Sequence, residues 1–422
     1  MTDPAEQFKT AFDADRAEDV RDLLAEYPSA GGLVRLPWGP FGTPPVVRVR
    51  SREMLEVLLE AGADINARSQ WWAGGFGLLD FAAPDLAEYA VSRGAVVDIH
   101  AAARLGKTAR VRELLAENPA LVHARGGDGQ TPLHFASTGE IAALLLESGA
   151  DMNARDVDHE STPAQYMMRD RREVARFLVS RGAETDLLMA AGLGDVALVE
   201  KHLAADPGCL RMKVSERWFP KRNPHSGGTI YFWTLGGDKS AHAVARESGH
   251  GAVFDLLWSR TPPEQRLAVA AGLRDEPAVR ELLAGDPGLA QKLAEADREA
   301  LVSAAQGNDT AVVELMLSAG WPAGVLNATR ASALHWASFH GNAGMVARLL
   351  REKPPVDGPD REFHSTPLGW AVYGSENGWH RESGDYPAVV RALITAGAAV
   401  PSGNPSGTPA IRAALAGGNE GI

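Results

Sequence analysis

The sequence predicts an all-α protein built as a stack of small helix–loop–helix units, and three observations predict it. The segment Gly62-Ala63-Asp64-Ile65-Asn66-Ala67-Arg68 returns almost unchanged as Gly149-Ala150-Asp151-Met152-Asn153-Ala154-Arg155. Helix-ending residues fall at Pro28, Gly62, Gly94, Pro119, Gly149, Gly182, Pro287, Gly320 and Pro354, and several of the gaps are 30 to 34 residues. Apolar pairs recur one helical turn apart: Leu55 with Leu58-Leu59, Val111 with Leu114-Leu115, Val279 with Leu282-Leu283, and Val346 with Leu349-Leu350. A fixed period of about 33 residues means stacked repeats rather than one globular core.

The first helix of a unit opens at a hydroxyl residue followed by Pro or Ala. Examples are Thr131-Pro132-Leu133-His134-Phe135-Ala136 and Ser332-Ala333-Leu334-His335-Trp336-Ala337. The hydroxyl caps the helix, and Pro suits its first turn. A small turn follows, such as Gly194-Asp195 or Gly341-Asn342. The second helix carries the apolar stripe. Gly then ends it in a left-handed conformation, or Asn118-Pro119, Asp206-Pro207 or Asp286-Pro287 stops it.

These residues resemble the ankyrin-repeat family. The Thr-Pro-Leu-His at 131–134, its variant Ser-Ala-Leu-His at 332–335, the Thr-Pro-Leu at 366–368 and the two Gly-Ala-Asp-x-Asn segments carry the likeness. The resemblance implies a solenoid of about 12 to 13 helix–loop–helix units over residues 1–422, with short hairpins, degenerate end units (Ala5–Tyr27 and Pro405–Ile422) and a concave binding face. It also implies that His134 and His335 brace the hairpin backbone. Counting back from the following Gly, His100 takes the same slot, whereas Asp80 and Gly369 replace the His in their units.

Four irregular segments interrupt the pattern, at 33–42, 69–77, 214–233 and 373–386. They hold six of the ten tryptophans: Trp38, Trp71, Trp72, Trp218, Trp233 and Trp379. Inserted loops can use such rings to build small cores of their own, or to line a ligand pocket, or to anchor a partner. The stretch leading into and through the third segment is locally basic, with Arg211, Lys213, Arg217, Lys221 and Arg222 in an otherwise acidic chain. It either balances neighbouring acids or receives a carboxylate or phosphate. Candidate ligand-binding residues are Trp71, Trp72, Trp218, Arg222, His225, Trp233, Phe339, Tyr373, Glu376 and Trp379. If the protein is an enzyme, His340, His380 and Asp80 are the candidate acid–base groups.

Familiar catalytic motifs fail on context. Gly192-Leu193-Gly194-Asp195-Val196-Ala197 imitates a dinucleotide fingerprint but lies in phase with the repeat. Gly106-Lys107-Thr108 lacks the earlier glycine of a phosphate loop, since that place is Ala101. His335 and His340 are five apart and point to different helix faces, so no metal is expected, and no cofactor either. Cys209, the single cysteine, reads as a buried thiol.

The 45% hydrophobic and 23% charged residues are those of a folded protein, and the net charge of -12 disfavours phosphate backbones. One cysteine allows no internal disulfide, the first residues lack a signal-peptide pattern, and the uncharged stretch Leu393–Ile411 holds three Pro and three Gly. The expected setting is cytoplasmic, without nucleic acid or membrane. Two functions follow. One is a scaffold recognising a protein partner on the concave face. The other is a pocket for a small polar or anionic ligand, with or without chemistry.

Overall fold

A computed structural model describes residues 3–400 and 407–417 of the chain. Parts of the expected last unit (405–406 and 418–422), of the uncharged stretch (401–406) and of the start (1–2) lie outside the described residues. The chain divides into two compact units, Met1–Phe254 and Asp255–Ile422.

Both units are stacks of helix pairs, as the period requires. In the first, Pro132–Phe135 pairs with Gly139–Glu147, Pro163–Tyr166 with Arg172–Ser180, and Leu187–Leu193 with Val196–Ala205. In the second, Ala300–Gln306 pairs with Thr310–Ser318, Ala333–Phe339 with Ala343–Arg351, and Pro367–Asn377 with Tyr386–Thr395. Among the described residues there is no strand, only isolated bridges such as Gly39–Thr43 and Leu326–Ser332.

The local signals act as their chemistry dictates. Ser332 Oγ accepts the His335 backbone N–H, and Thr366 Oγ1 accepts that of Gly369. After the small turns, Asp195 and Asn342 accept the N–H groups of Leu198 and Met345. Gly149 and Gly182 end their helices at φ 96 and 98°, a left-handed conformation that a side chain would strain. The stripes are inside: Val111, Leu145, Val346 and Leu349 are fully buried. In the second unit one continuous cluster of buried residues runs from Leu267 to Leu415, so each repeat covers its neighbour's apolar face.

The histidine brace joins one repeat to the next. His134 Nδ1 accepts the Thr131 backbone N–H at 3.1 Å, which leaves the proton on Nε2 to donate to Ser161 O at 3.1 Å. His335 repeats this with Ser332 and Ser365. His100 donates to Ala124 O in the same manner. Asp80, in the substituted slot, accepts the Gly77 N–H at 2.6 Å. Gln165 fills the slot in the following repeat and accepts the Thr162 N–H.

Candidate functional site

The irregular segments build two clusters, one in each unit. In the second unit the ends of the first helices carry the aromatic residues. Ala333–Phe339 and Pro367–Asn377 approach so closely that a Cβ on Gly374 would lie 2.3 Å from Phe339 O. That approach stacks Phe339 on Tyr373 (6.5 Å between ring centroids, 20°). The loop after Asn377 then lays Trp379 over Trp336 (6.2 Å, 25°) and edge-on to Phe339 (5.3 Å). His340 and His380 meet at 5.1 Å. The outer rings are uncovered: Trp379 is 69% exposed and Tyr373 61%. Glu376 is exposed on the same helix.

His340 itself is 2% exposed and donates from Nε2 to Gln306 O at 2.8 Å. Burial, with the neighbouring His380, holds its pKa below the usual imidazole value. Its ring packs against Trp336, Phe339 and Trp379. Gly374→Ala is expected to wedge the two helices apart. Neither the Phe339 backbone nor the Tyr386 ring, 3.0 Å from the added carbon, can give way cheaply. The expected cost is about 1–3 kcal/mol, typical of overpacking, read by urea unfolding.

In the first unit three irregular segments meet. Phe41 packs edge-on to Trp71 (4.6 Å), Trp71 to Trp72 (6.0 Å), and Trp72 to His225 (6.3 Å). Trp38 turns instead into the first helix pair, against Phe8 and Phe12. Asp80 has a structural place: besides its Gly77 bond, it lies 3.6 Å from the Arg68 guanidinium, and burial raises its pKa. It also borders a groove of about 610 Å³ that passes Phe76, Phe81, Asp128, Tyr166 and Arg171.

The insertion is anchored by Tyr231, fully buried, whose hydroxyl donates to Asp186 at 2.8 Å. Phe219 packs edge-on to that ring. The basic run is partly neutralised, Lys213 by Asp238 and Lys221 by Glu216. The backbone N–H groups of Arg222 and Asn223 both donate to the Glu160 carboxylate. Beneath lies a cavity of about 210 Å³ whose walls include Trp218, Arg222, Arg155, His159 and Gln165. Trp233 stands 67% exposed. Cys209 is buried, and burial pushes its thiol up to about 11, so it is not a ready nucleophile.

Sequence reasoning missed the acidic centre of this unit. Asp128, Asp156, Asp158 and His159 sit on two successive hairpin fingers. Asp156 accepts the His159 and Ser161 N–H groups and the Tyr166 hydroxyl. Asp360 in the second unit does the same with Phe363, Ser365 and the Trp370 indole, so that carboxylate belongs to the finger's own construction. Asp128 and His159 have no such counterpart, and Asp158 has only another carboxylate opposite it. Aligning Asp156 with Asp360 places Glu362 and Phe363 opposite Asp158 and His159. The matched bonds Val157 N–H to Asp128 O and Arg361 N–H to Thr329 O place Thr329 opposite Asp128. That internal comparison is the signal that could have found them.

Comparison with known proteins supplies the frame. An ankyrin-repeat family model matches residues 99–188 and 266–357. A 69-residue stretch is 48% identical to the serine/threonine-protein kinase VIK of Arabidopsis thaliana, covering 16% of this chain and 15% of that protein. Over 122 residues the chain is 36% identical to the ankyrin repeat and SAM domain-containing protein 6 of Rattus norvegicus, 28% of this chain and 14% of that protein. The Mus musculus protein of that name is 34% identical over 114 residues, 26% of this chain and 13% of its own. The chain thus spans only about one seventh of the length of these relatives. Among the described residues no helix is long and apolar enough to cross a membrane.

Proposed function

This chain belongs to the ankyrin-repeat family, a protein-interaction scaffold, and we propose from that premise that it grips a protein segment with the aromatic cluster of its second unit. One observation carries the reading. Two large rings, Trp379 and Tyr373, stand exposed on a packed aromatic base of Trp336, Phe339 and Trp370. Exposed aromatic anchors on a rigid support are the usual centre of a binding hot spot. By family resemblance these helix ends face the concave side. The inserted segment 373–386 adds Glu376, Glu382 and Asp385 against one Arg381, and the whole chain is at -12. A partner segment with basic and apolar side chains fits, its cations placed over the exposed indole. The acidic charge argues against nucleic acid, and the lone cysteine supports a reducing, cytoplasmic setting.

The test is a displayed peptide library selected on the purified chain, followed by affinity measurement with the enriched peptides. Wild type is expected to select basic, apolar sequences. Trp379→Ala and Tyr373→Ala are expected to weaken them at least about 30-fold, the weight of a hot-spot residue, with stability nearly unchanged. No enrichment, or peptides indifferent to both substitutions, would sink the reading.

A second reading rests on the cavity beneath the insertion. Its lining of Trp218, His159 and the exposed Arg222 suits a small anionic ligand with a flat ring.

A further inference from the structure

We propose that Asp128, Asp158 and His159 form a site for a divalent transition-metal ion that ties two hairpin fingers to the inserted segment. The three side chains each offer one ligand atom, and these lie within 4.8 Å of one another. His159 Nε2 is 3.4 Å from the Asp158 carboxylate and 3.8 Å from that of Asp128. Ligands bound at about 2.0–2.1 Å and near-tetrahedral angles stand roughly 3.3–3.5 Å apart, so the His159–Asp158 pair already has that spacing and the Asp128 carboxylate needs to swing inward.

The histidine gives evidence independent of the acids. Its Nδ1 donates to Gly228 O at 2.8 Å. That bond places the proton on Nδ1 and leaves the Nε2 lone pair aimed at the two carboxylates. The side chain is only 10% exposed, and Nε2 makes no hydrogen bond. Two carboxylates facing one ring nitrogen in a buried place call for positive charge between them, which a metal ion supplies. A carbonyl accepting the far N–H is also how metal-binding histidines are oriented.

The charge balance points the same way. Asp158 is 8% exposed and Asp128 14%, and among the described residues the ion-pair partner of both is His159. The equivalent finger of the second unit, with Thr329, Glu362 and Phe363, holds its fold without this trio. Asp128 and His159 are therefore additions to the repeat. One nitrogen and two carboxylate oxygens suit zinc and its first-row neighbours better than calcium or magnesium, which prefer oxygen alone.

The site also explains how the insertion is seated. Ser226 Oγ donates to Asp158 O, the Gly227 N–H to Asp158 O and Oδ1, and His159 to Gly228 O. Each metal ligand on the second finger thus holds the insertion by its other atoms.

The test uses the full chain, stripped with a chelator, and Zn²⁺ alone. Calorimetry at pH 7 is expected to show one tight site per chain. His159→Phe installs the residue of the second unit's finger, and Asp128→Asn removes the charge while keeping a side chain that tolerates the positive φ of 54° there, so the fold is expected to persist, as checked by circular dichroism. Both should weaken zinc at least about 100-fold. Asp158→Asn, which keeps an acceptor for the Gly227 N–H, should do likewise. Zinc should also slow amide exchange over residues 222–230 in wild type and not in the variants. No zinc uptake by wild type, or unchanged uptake by the variants, overturns the proposal.

Discussion

Tyr231→Ala is expected to lower the stability of the first unit by about 3–5 kcal/mol, the usual cost of deleting a buried aromatic ring. Tyr231 is fully buried and is the one ring of the inserted segment that enters the repeat core. Two losses combine. The ring leaves a cavity beside Phe219, which packs edge-on to it. The hydroxyl also leaves Asp186, a carboxylate so buried that its pKa is raised and which still must cap the helix Leu187–Leu193 through the Met189 N–H. A buried acceptor deprived of one donor carries a desolvation penalty of its own. Tyr231→Phe separates the two, since it removes only the hydrogen bond and should cost about 1–3 kcal/mol. Urea unfolding gives both numbers. A loss under 1 kcal/mol for the alanine variant would show that the insertion is not anchored through this ring.

His134 makes the stability of wild type depend on pH relative to His134→Gln. Burial, with Arg125 and Arg171 nearby, lowers its pKa to about 3 from 6.5, against the smaller opposing pull of Ser161 and Thr131. Between those values the unfolded chain holds a proton on this residue and the folded chain does not. The contribution is complete above pH 6.5 and is lost as the pH falls toward 3. Glutamine is a fair replacement because Gln165 already accepts the Thr162 N–H in the next repeat. The difference between wild type and variant should shift by on the order of 3 kcal/mol between pH 7 and pH 4, with wild type losing ground in acid. The comparison matters because Asp80, Asp128 and Asp156 have raised pKa values and push total stability the opposite way. They are common to both proteins and cancel. A difference flat with pH would mean that His134 takes up its proton in the fold as readily as in the unfolded chain.

The fold was legible because each repeat writes its signals locally. Caps such as Ser332, stops such as Gly149 and braces such as His134 need only their own unit and the next. The irregular segments were legible as departures from that period; the structure sets Trp71, Trp72 and His225 side by side in one unit and Phe339, His340, Tyr373, Trp379 and His380 in the other. Asp80 drew attention by replacing a brace, and it keeps the local half of one, the bond from the Gly77 N–H. The Asp128–Asp158–His159 group was not legible. A search for metal ligands by spacing along one helix cannot see residues on successive fingers, 30 apart, oriented by a carbonyl 69 residues away.

Amide hydrogen exchange, with and without a saturating selected peptide, tests the central claim most directly. The aromatic cluster predicts new protection at residues 339–341 and 373–386, and little change along the second helices Ala343–Arg351 and Tyr386–Thr395 beyond their first turns. Protection confined to those second helices, or to the first unit alone, would contradict it.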